Sequence, residues 1–156
     1  MQTIARKFLV KQIPDLTGKE HWAQSRFYLY RKNGIVIRTQ SNGDNFDLER
    51  KVSKTALIRE SEKIAITKDE FEEISKVIAA NIIRDSYIIS EIPYIVLRMY
   101  HGKFEGLIRV EVEFLSVEEA NRYIPLKWMG KEITNTLLAK DETLLTLTGQ
   151  DFRALL

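Results

Sequence analysis

Gly102-Lys103-Phe104-Glu105-Gly106-Leu107-Ile108-Arg109-Val110-Glu111-Val112-Glu113-Phe114 is the stretch on which the reading of this chain turns. Its two glycines end one extended segment and launch another. Beyond them apolar and charged residues alternate. Leu107, Arg109, Glu111 and Glu113 fall on one side and Ile108, Val110, Val112 and Phe114 on the other, because successive strand side chains point to opposite faces. Both carboxylates therefore share a face, two residues apart. Such a face is either the solvated side of a sheet or the wall of a cavity.

Outward from this stretch the same alternation recurs. Upstream, Ser86 to Ser90 and Tyr94 to Tyr100 read as two strands divided near Pro93. Residues 57–66, Phe46 to Val52, Ile35 to Arg38, Phe27 to Tyr30 and residues 2–11 read as five more. Asn33-Gly34 is a hairpin signal, since both residues tolerate positive φ, and Ser41-Asn42-Gly43-Asp44 is a second turn. Pro14 to Gly18 is a turn or a short irregular helix. Thr67-Lys68-Asp69-Glu70 has the spacing of a capping box, and Phe71, Ile74, Val77, Ile78 and Ile82 follow at helical intervals, so the spacing predicts a helix over 68–82. Downstream, Ser116-Val117-Glu118-Glu119 repeats that signal for a short helix. After Pro125 and Trp128-Met129-Gly130 the tail from Thr134 to Leu156 reads as mostly helical, with breaks near Asp141 and Gly149. The expectation is a single α+β domain over 1–156, with about eight strands in antiparallel sheet and two or three helices.

Composition narrows the function classes. Apolar residues at 44% and charged ones at 29% describe an ordinary soluble globular chain. Basic residues number 24 against 22 acidic, too even a balance to argue for a nucleic-acid partner. The absence of cysteine removes disulfides, thiolate metal sites and cysteine nucleophiles, and fits a reducing compartment. No apolar run approaches the roughly 18 residues of a membrane span, and the N-terminal residues lack a signal-peptide core. A cytoplasmic protein with no membrane partner is expected. No P-loop, His-Glu-x-x-His or Gly-x-Ser-x-Gly pattern occurs. His21 and His101 have no partner nearby in sequence and read as surface or turn residues; Trp22 and Trp128 read as packing residues; Glu72-Glu73 and Glu118-Glu119 read as solvated helix faces. On periodicity alone, strands with one charged face favour an open sheet, although a closed barrel with a polar lumen explains the mid-strand charges too.

The residues carry a resemblance that reverses this preference. Gly102-x-Phe104-x-Gly106-Leu107, Val110-Glu111-Val112-Glu113-Phe114-x-Ser116 and Trp128-Met129-Gly130-Lys131-Glu132-Ile133-Thr134 resemble the C-terminal half of the CYTH family, the triphosphate tunnel enzymes. These include class IV adenylate cyclases, thiamine triphosphatases and inorganic triphosphatases. Arg6-Lys7-Phe8-Leu9-Val10 resembles the end of the family's opening Glu-x-Glu-x-Lys segment, and Gly43-Asp44 through Arg50-Lys51 its strand ending in lysine. The resemblance implies an eight-stranded antiparallel β-barrel whose lumen binds a triphosphate or polyphosphate ligand, a nucleotide among them. Basic side chains hold the phosphates, and paired carboxylates hold Mg²⁺ or Mn²⁺. A homodimer is compatible with it.

Matched position by position, the basic half persists. Lys7, Arg38, Lys51, Arg59 and Arg84 stand at binding positions, while Gln40 and Ser86 replace two arginines. The acidic half is eroded. Thr3 and Ala5 replace the opening glutamates, and Ser61 and Lys63 replace those of the fifth strand if Arg59 and Ile66 set its register. In that register Glu60 and Glu62 point outward; a local slip would turn them in. Val96 and Arg98 fill the acidic places before the Gly102 turn, leaving Glu111 and Glu113 as the metal-ligand candidates of a weakened Mg or Mn site. Arg98, if inward, joins the binding set and puts positive charge where a metal would sit. Nothing assigns a catalytic residue. Three readings stay open: a polyanion-binding tunnel protein with hydrolysis weakened or lost, which the missing acids favour; a working Mg- or Mn-dependent triphosphatase with a reduced carboxylate set; and a non-enzymatic scaffold whose lumen is closed by ion pairs such as an Arg98, Arg109, Glu111, Glu113 ladder.

Overall fold

The computed structural model describes residues 1–156. The strands are β1 (Gln2–Val10), β2 (His21–Lys32), β3 (Ile35–Asn42), β4 (Asn45–Ser53), β5 (Ile58–Ala65), β6 (Asn81–Glu91), β7 (Tyr94–Tyr100), β8 (Ile108–Phe114) and β9 (Met129–Glu132). The helices are α1 (Lys68–Ser75), α2 (Val117–Arg122), α3 (Asp141–Leu144) and α4 (Gly149–Leu155), with one 3₁₀ turn over Gly102–Phe104. The strands run β5-β4-β3-β2-β6-β7-β8-β1, and a β5–β1 pairing closes the ring into an eight-stranded antiparallel barrel. Closure removes every long open edge. β1 serves two neighbours on one side: Gln2 to Ile4 pair with β5, while Phe8 and Val10 pair with β9. The resemblance to a barrel is thus realised and the open sheet is not.

Local signals act as read at the turns. Asn33 and Gly34 both have positive φ, 52° and 74°, the backbone a two-residue hairpin needs. Thr67 caps α1 in both directions: its hydroxyl accepts from the Glu70 N–H at 3.1 Å, and the Glu70 carboxylate accepts from the Thr67 N–H at 2.9 Å. Long-range pairing overrides local periodicity elsewhere. The helix expected over 68–82 stops at Ser75, because the chain from Asn81 extends to pair with β2, which makes Ile82 a buried strand residue. β2 starts at His21 rather than Phe27, since β6 gives its first half a partner. The tail is a series of turns with two short helices. Asp141 opens α3 instead of breaking a helix, and β9 forms where no strand was expected.

The apolar groups pack at one end of the barrel and on its outside. Ile133, Leu138, Leu144, Leu147 and Phe152 of the tail fill the end lined by Tyr28, Val36, Ile82, Tyr100, Phe104 and Leu107. On the outer face Phe8, Ile95, Val110, Val112 and Met129 lie under Tyr123 and Trp128. The rest of the interior belongs mainly to polar side chains, with Ala5 and Val96 among them.

Candidate active site

Strand alternation decides which side chains face the lumen. On β2 these are Trp22, Gln24, Arg26 and Tyr28; their partners Arg38 and Gln40 on β3 face Glu49 and Asp47 on β4, and Glu49 faces Lys63 on β5. β5 settles in the register with Ser61 and Lys63 inward: Ser61 pairs with Lys51, and Glu60 and Glu62 are exposed outside. Arg98 on β7 and Arg109, Glu111 and Glu113 on β8 complete the ring.

The lumen has two compartments. The open one is a cavity of about 280 Å³ whose wall includes Trp22, Arg26, Arg38, Glu49, Arg59, Lys63, Tyr94, Arg98 and Glu113. Trp22, expected as a packing residue, stands here because the early start of β2 turns it inward. Arg38 donates to Glu49 through Nε at 2.9 Å and through Nη2, and Lys63 lies 3.8 Å from the other Glu49 oxygen. Burial pushes the Glu49 carboxyl up, but Arg38, Arg26 and Lys63 outweigh it and hold it at about 2. Arg59 reaches Glu111 at 2.9 Å and Glu113 at 3.6 Å. Burial raises the Glu111 carboxyl, yet Arg59, Lys7, Arg98 and Arg109 hold it well below the usual range. Glu113 is raised, by burial and then by its neighbour Glu111.

The deep compartment is plugged. Asp141, at the start of α3, is buried among guanidinium groups: Arg26 at 3.0 Å, Arg84 at 3.1 Å and Arg109 at 3.2 Å. It also accepts from the hydroxyls of Tyr100 at 2.5 Å and Tyr28 at 3.4 Å. Against the cost of burial, Arg84, Arg109 and Arg26 keep its carboxyl well below the ordinary value. Glu142 accepts from Lys51 at 2.8 and 3.1 Å, and Lys7 donates to the Ala139 carbonyl at 2.6 Å. Of the basic residues marked in the sequence, Arg38, Arg59 and Arg98 therefore line the open cavity, while Lys51, Arg84 and Lys7 lie deeper against the plug. Asp141 and Glu142 escaped the sequence reading; their only signal is a short polar stretch, Lys140 to Thr143, set between Leu137-Leu138-Ala139 and Leu144-Leu145. Arg26 escaped because β2 was begun too late. The histidines do have a partner: Asp85 lies 2.7 Å from His101 and 3.5 Å from His21 on the outer surface.

No family model matches the chain. Over 149 residues it is 29% identical to the inorganic triphosphatase of Nitrosomonas europaea, covering 92% of this chain and 97% of that protein. The crystal structure of the inorganic triphosphatase NE1496 superposes with a TM-score of 0.72 at 25% identity, covering 94% of this chain and 95% of the other. In fold and in sequence the chain is similar to the CYTH triphosphate-tunnel proteins. A putative adenylyl cyclase from Hippeastrum with a dominant triphosphatase activity shares the tunnel fold, with a TM-score of 0.54 at 12% identity over 76% of this chain and 82% of that one.

Tunnel proteins of the CYTH type imply a divalent metal, for which the side chains here offer few free ligands. No three His, Cys, Asp or Glu side chains are grouped as ligands. The best pair, Glu111 and Glu113, already shares Arg59, and Glu111 also faces Arg98 at 3.9 Å. This tunnel does not fit a resident metal pair.

Proposed function

We propose that the protein binds a triphosphate in the open half of its tunnel and hydrolyses a phosphoanhydride bond. The observation that carries this reading is the convergence of Arg26, Arg38, Arg59, Lys63 and Arg98 on the one open cavity, against only Glu49 and Glu113 as lining carboxylates. Similarity to an inorganic triphosphatase over nearly the whole chain supports the same reading. In this role the arginines fix the phosphate chain in line with an attacking water and stabilise charge on the leaving phosphate oxygen. Lys7, Lys51 and Arg84 support that ring from behind, held in place by the plug. Glu111 and Glu113 hold Arg59 in position rather than a resident Mg²⁺ or Mn²⁺, which is the sense in which the metal site is weakened. The self-satisfied scaffold is disfavoured because the cavity has more cations than acids, and because the buried Nε groups of Arg26 and Arg98 have no hydrogen-bond partner.

Phosphate release from tripolyphosphate, ATP and thiamine triphosphate, with and without Mg²⁺ or Mn²⁺, tests the proposal. Turnover of at least one, lowered by Arg38→Ala, is the expected result. Binding without release under every condition would remove the hydrolytic half and leave a triphosphate-binding tunnel. Neither binding nor release would leave the ion-paired scaffold.

A further inference from the structure

Every acid near the cavity is already neutralised from within the protein. Glu49 sits between Arg38 and Lys63, and Glu113 and Glu111 share Arg59. A second cation stands behind Glu111. Arg98 lies inward on β7 with its side chain 11% exposed; its Nη1 donates to Ser86 Oγ at 2.7 Å, and its Nη2 is 3.9 Å from Glu111 Oε2. Its Nε, buried, has no partner at all. The guanidinium is thus hydrogen-bonded to Ser86 alone and only approaches Glu111, so this cation of the cavity wall is not fully engaged within the protein. A wall of this kind repels a small divalent cation and attracts an anion with many acceptor oxygens.

We propose that the tunnel takes its triphosphate as the metal-free polyanion, with Arg98 holding the charge-neutralising place between the phosphates and Glu111. Planar guanidinium groups suit this work, since one group offers donors to a phosphate and a carboxylate at once. The inference rests on the reading of the lumen as a triphosphate site, and it adds the form in which that ligand is recognised and the residue that selects it.

Isothermal titration with tripolyphosphate, in EDTA and then in excess Mg²⁺, is the first measurement. The expected result is binding in EDTA at least as tight as in Mg²⁺, because the uncomplexed anion has more charge to offer. Mn²⁺ binding, followed by electron paramagnetic resonance, is the second. Wild type should leave Mn²⁺ free, whereas Arg98→Glu, which adds a carboxylate beside Glu111, should create a Mn²⁺ site. Arg98→Met should weaken metal-free binding by about ten- to a hundredfold without gaining Mn²⁺. Wild type that binds tripolyphosphate only with Mg²⁺, or that binds Mn²⁺ as tightly as Arg98→Glu, overturns the proposal; so does Arg98→Met with undiminished affinity. Should either variant fail to fold, the wild-type comparison between EDTA and Mg²⁺ decides alone. Absence of binding in both conditions instead refutes the triphosphate reading itself.

Discussion

Asp141→Asn removes one charge from the centre of the plug and changes almost no volume. The carboxylate serves three guanidinium groups at 3.0 to 3.2 Å and the Tyr100 hydroxyl, with its side chain 1% exposed. Taking one partner from a buried ion cluster costs about 3–5 kcal/mol, because the remaining charges stay desolvated. The asparagine oxygen still accepts a hydrogen bond, so the lower end of about 3 kcal/mol is expected; that corresponds to a fall of roughly 6–12 °C in Tm for a chain of this length. Ligand affinity should move the other way. A phosphate charge about 8 Å from Asp141 is repelled by about 2 kcal/mol at an effective dielectric of 20, so removing the carboxylate should tighten triphosphate binding by about thirtyfold. Urea and thermal unfolding with and without tripolyphosphate, together with titration calorimetry, measure both effects. Leu144→Ala is the control: it loosens the same plug by about 2–5 kcal/mol through a cavity and leaves the charge untouched. Asp141→Asn with stability within about 0.5 kcal/mol of wild type, or with weaker triphosphate binding, would refute the electrostatic account of the plug.

Lys63 is half-exposed at the rim, so Lys63→Ala should change stability by less than about 1 kcal/mol yet weaken tripolyphosphate binding several-fold, with a reduced salt dependence visible by calorimetry. Glu49 and Glu142 are both held at about 2 against an ordinary 4.5, by Arg38 and Lys51 among others. Because these values are depressed in the fold, the stability they contribute is complete above pH 4.5 and is lost as pH falls towards 2, at a cost on the order of 1–3 kcal/mol for each group. Circular dichroism across that window should show acid unfolding, and Glu142→Gln should flatten the curve. Arg38→Ala should both destabilise, by leaving Glu49 buried without its main partner, and weaken triphosphate binding by roughly tenfold or more in the same titration.

The barrel was legible wherever one strand's alternation was complete in itself. The run from Leu107 to Phe114 orders β8 by its own pattern, whereas the register of β5, open between Ser61/Lys63 and Glu60/Glu62 in the sequence, is decided by pairing with β4, which turns Lys63 inward. What could not be read locally was decided by a distant partner. Ile82 has helical spacing from Ile78, yet β2 offers it a strand, and the strand forms. The site was legible on the walls and illegible at the floor. Arg38 and Arg59 came from the resemblance, and Arg98 only on the condition that it faces inward; strand parity turns all three towards the open cavity. Asp141 is held by tertiary packing of an irregular tail, and no spacing in that tail points a carboxylate at three arginines from three different strands.

The plug also gives the tunnel a direction. A barrel of eight strands has two mouths, and here the apolar tail residues fill one of them around Phe104 and Leu107. Steric closure alone would stop a phosphate chain, but Asp141 and Glu142 add a second barrier, since they place acids at the depth where the cations of β6 and β8 would otherwise continue the path. Arg26 marks the boundary: it lines the open cavity and binds Asp141, so it faces the ligand space on one side and the protein's own carboxylate on the other. On the proposed function a triphosphate in this cavity faces Arg26 and Arg38 and, behind Arg26, the Asp141 carboxylate. The favourable field then ends there, and a linear phosphate chain is expected to bind by its end.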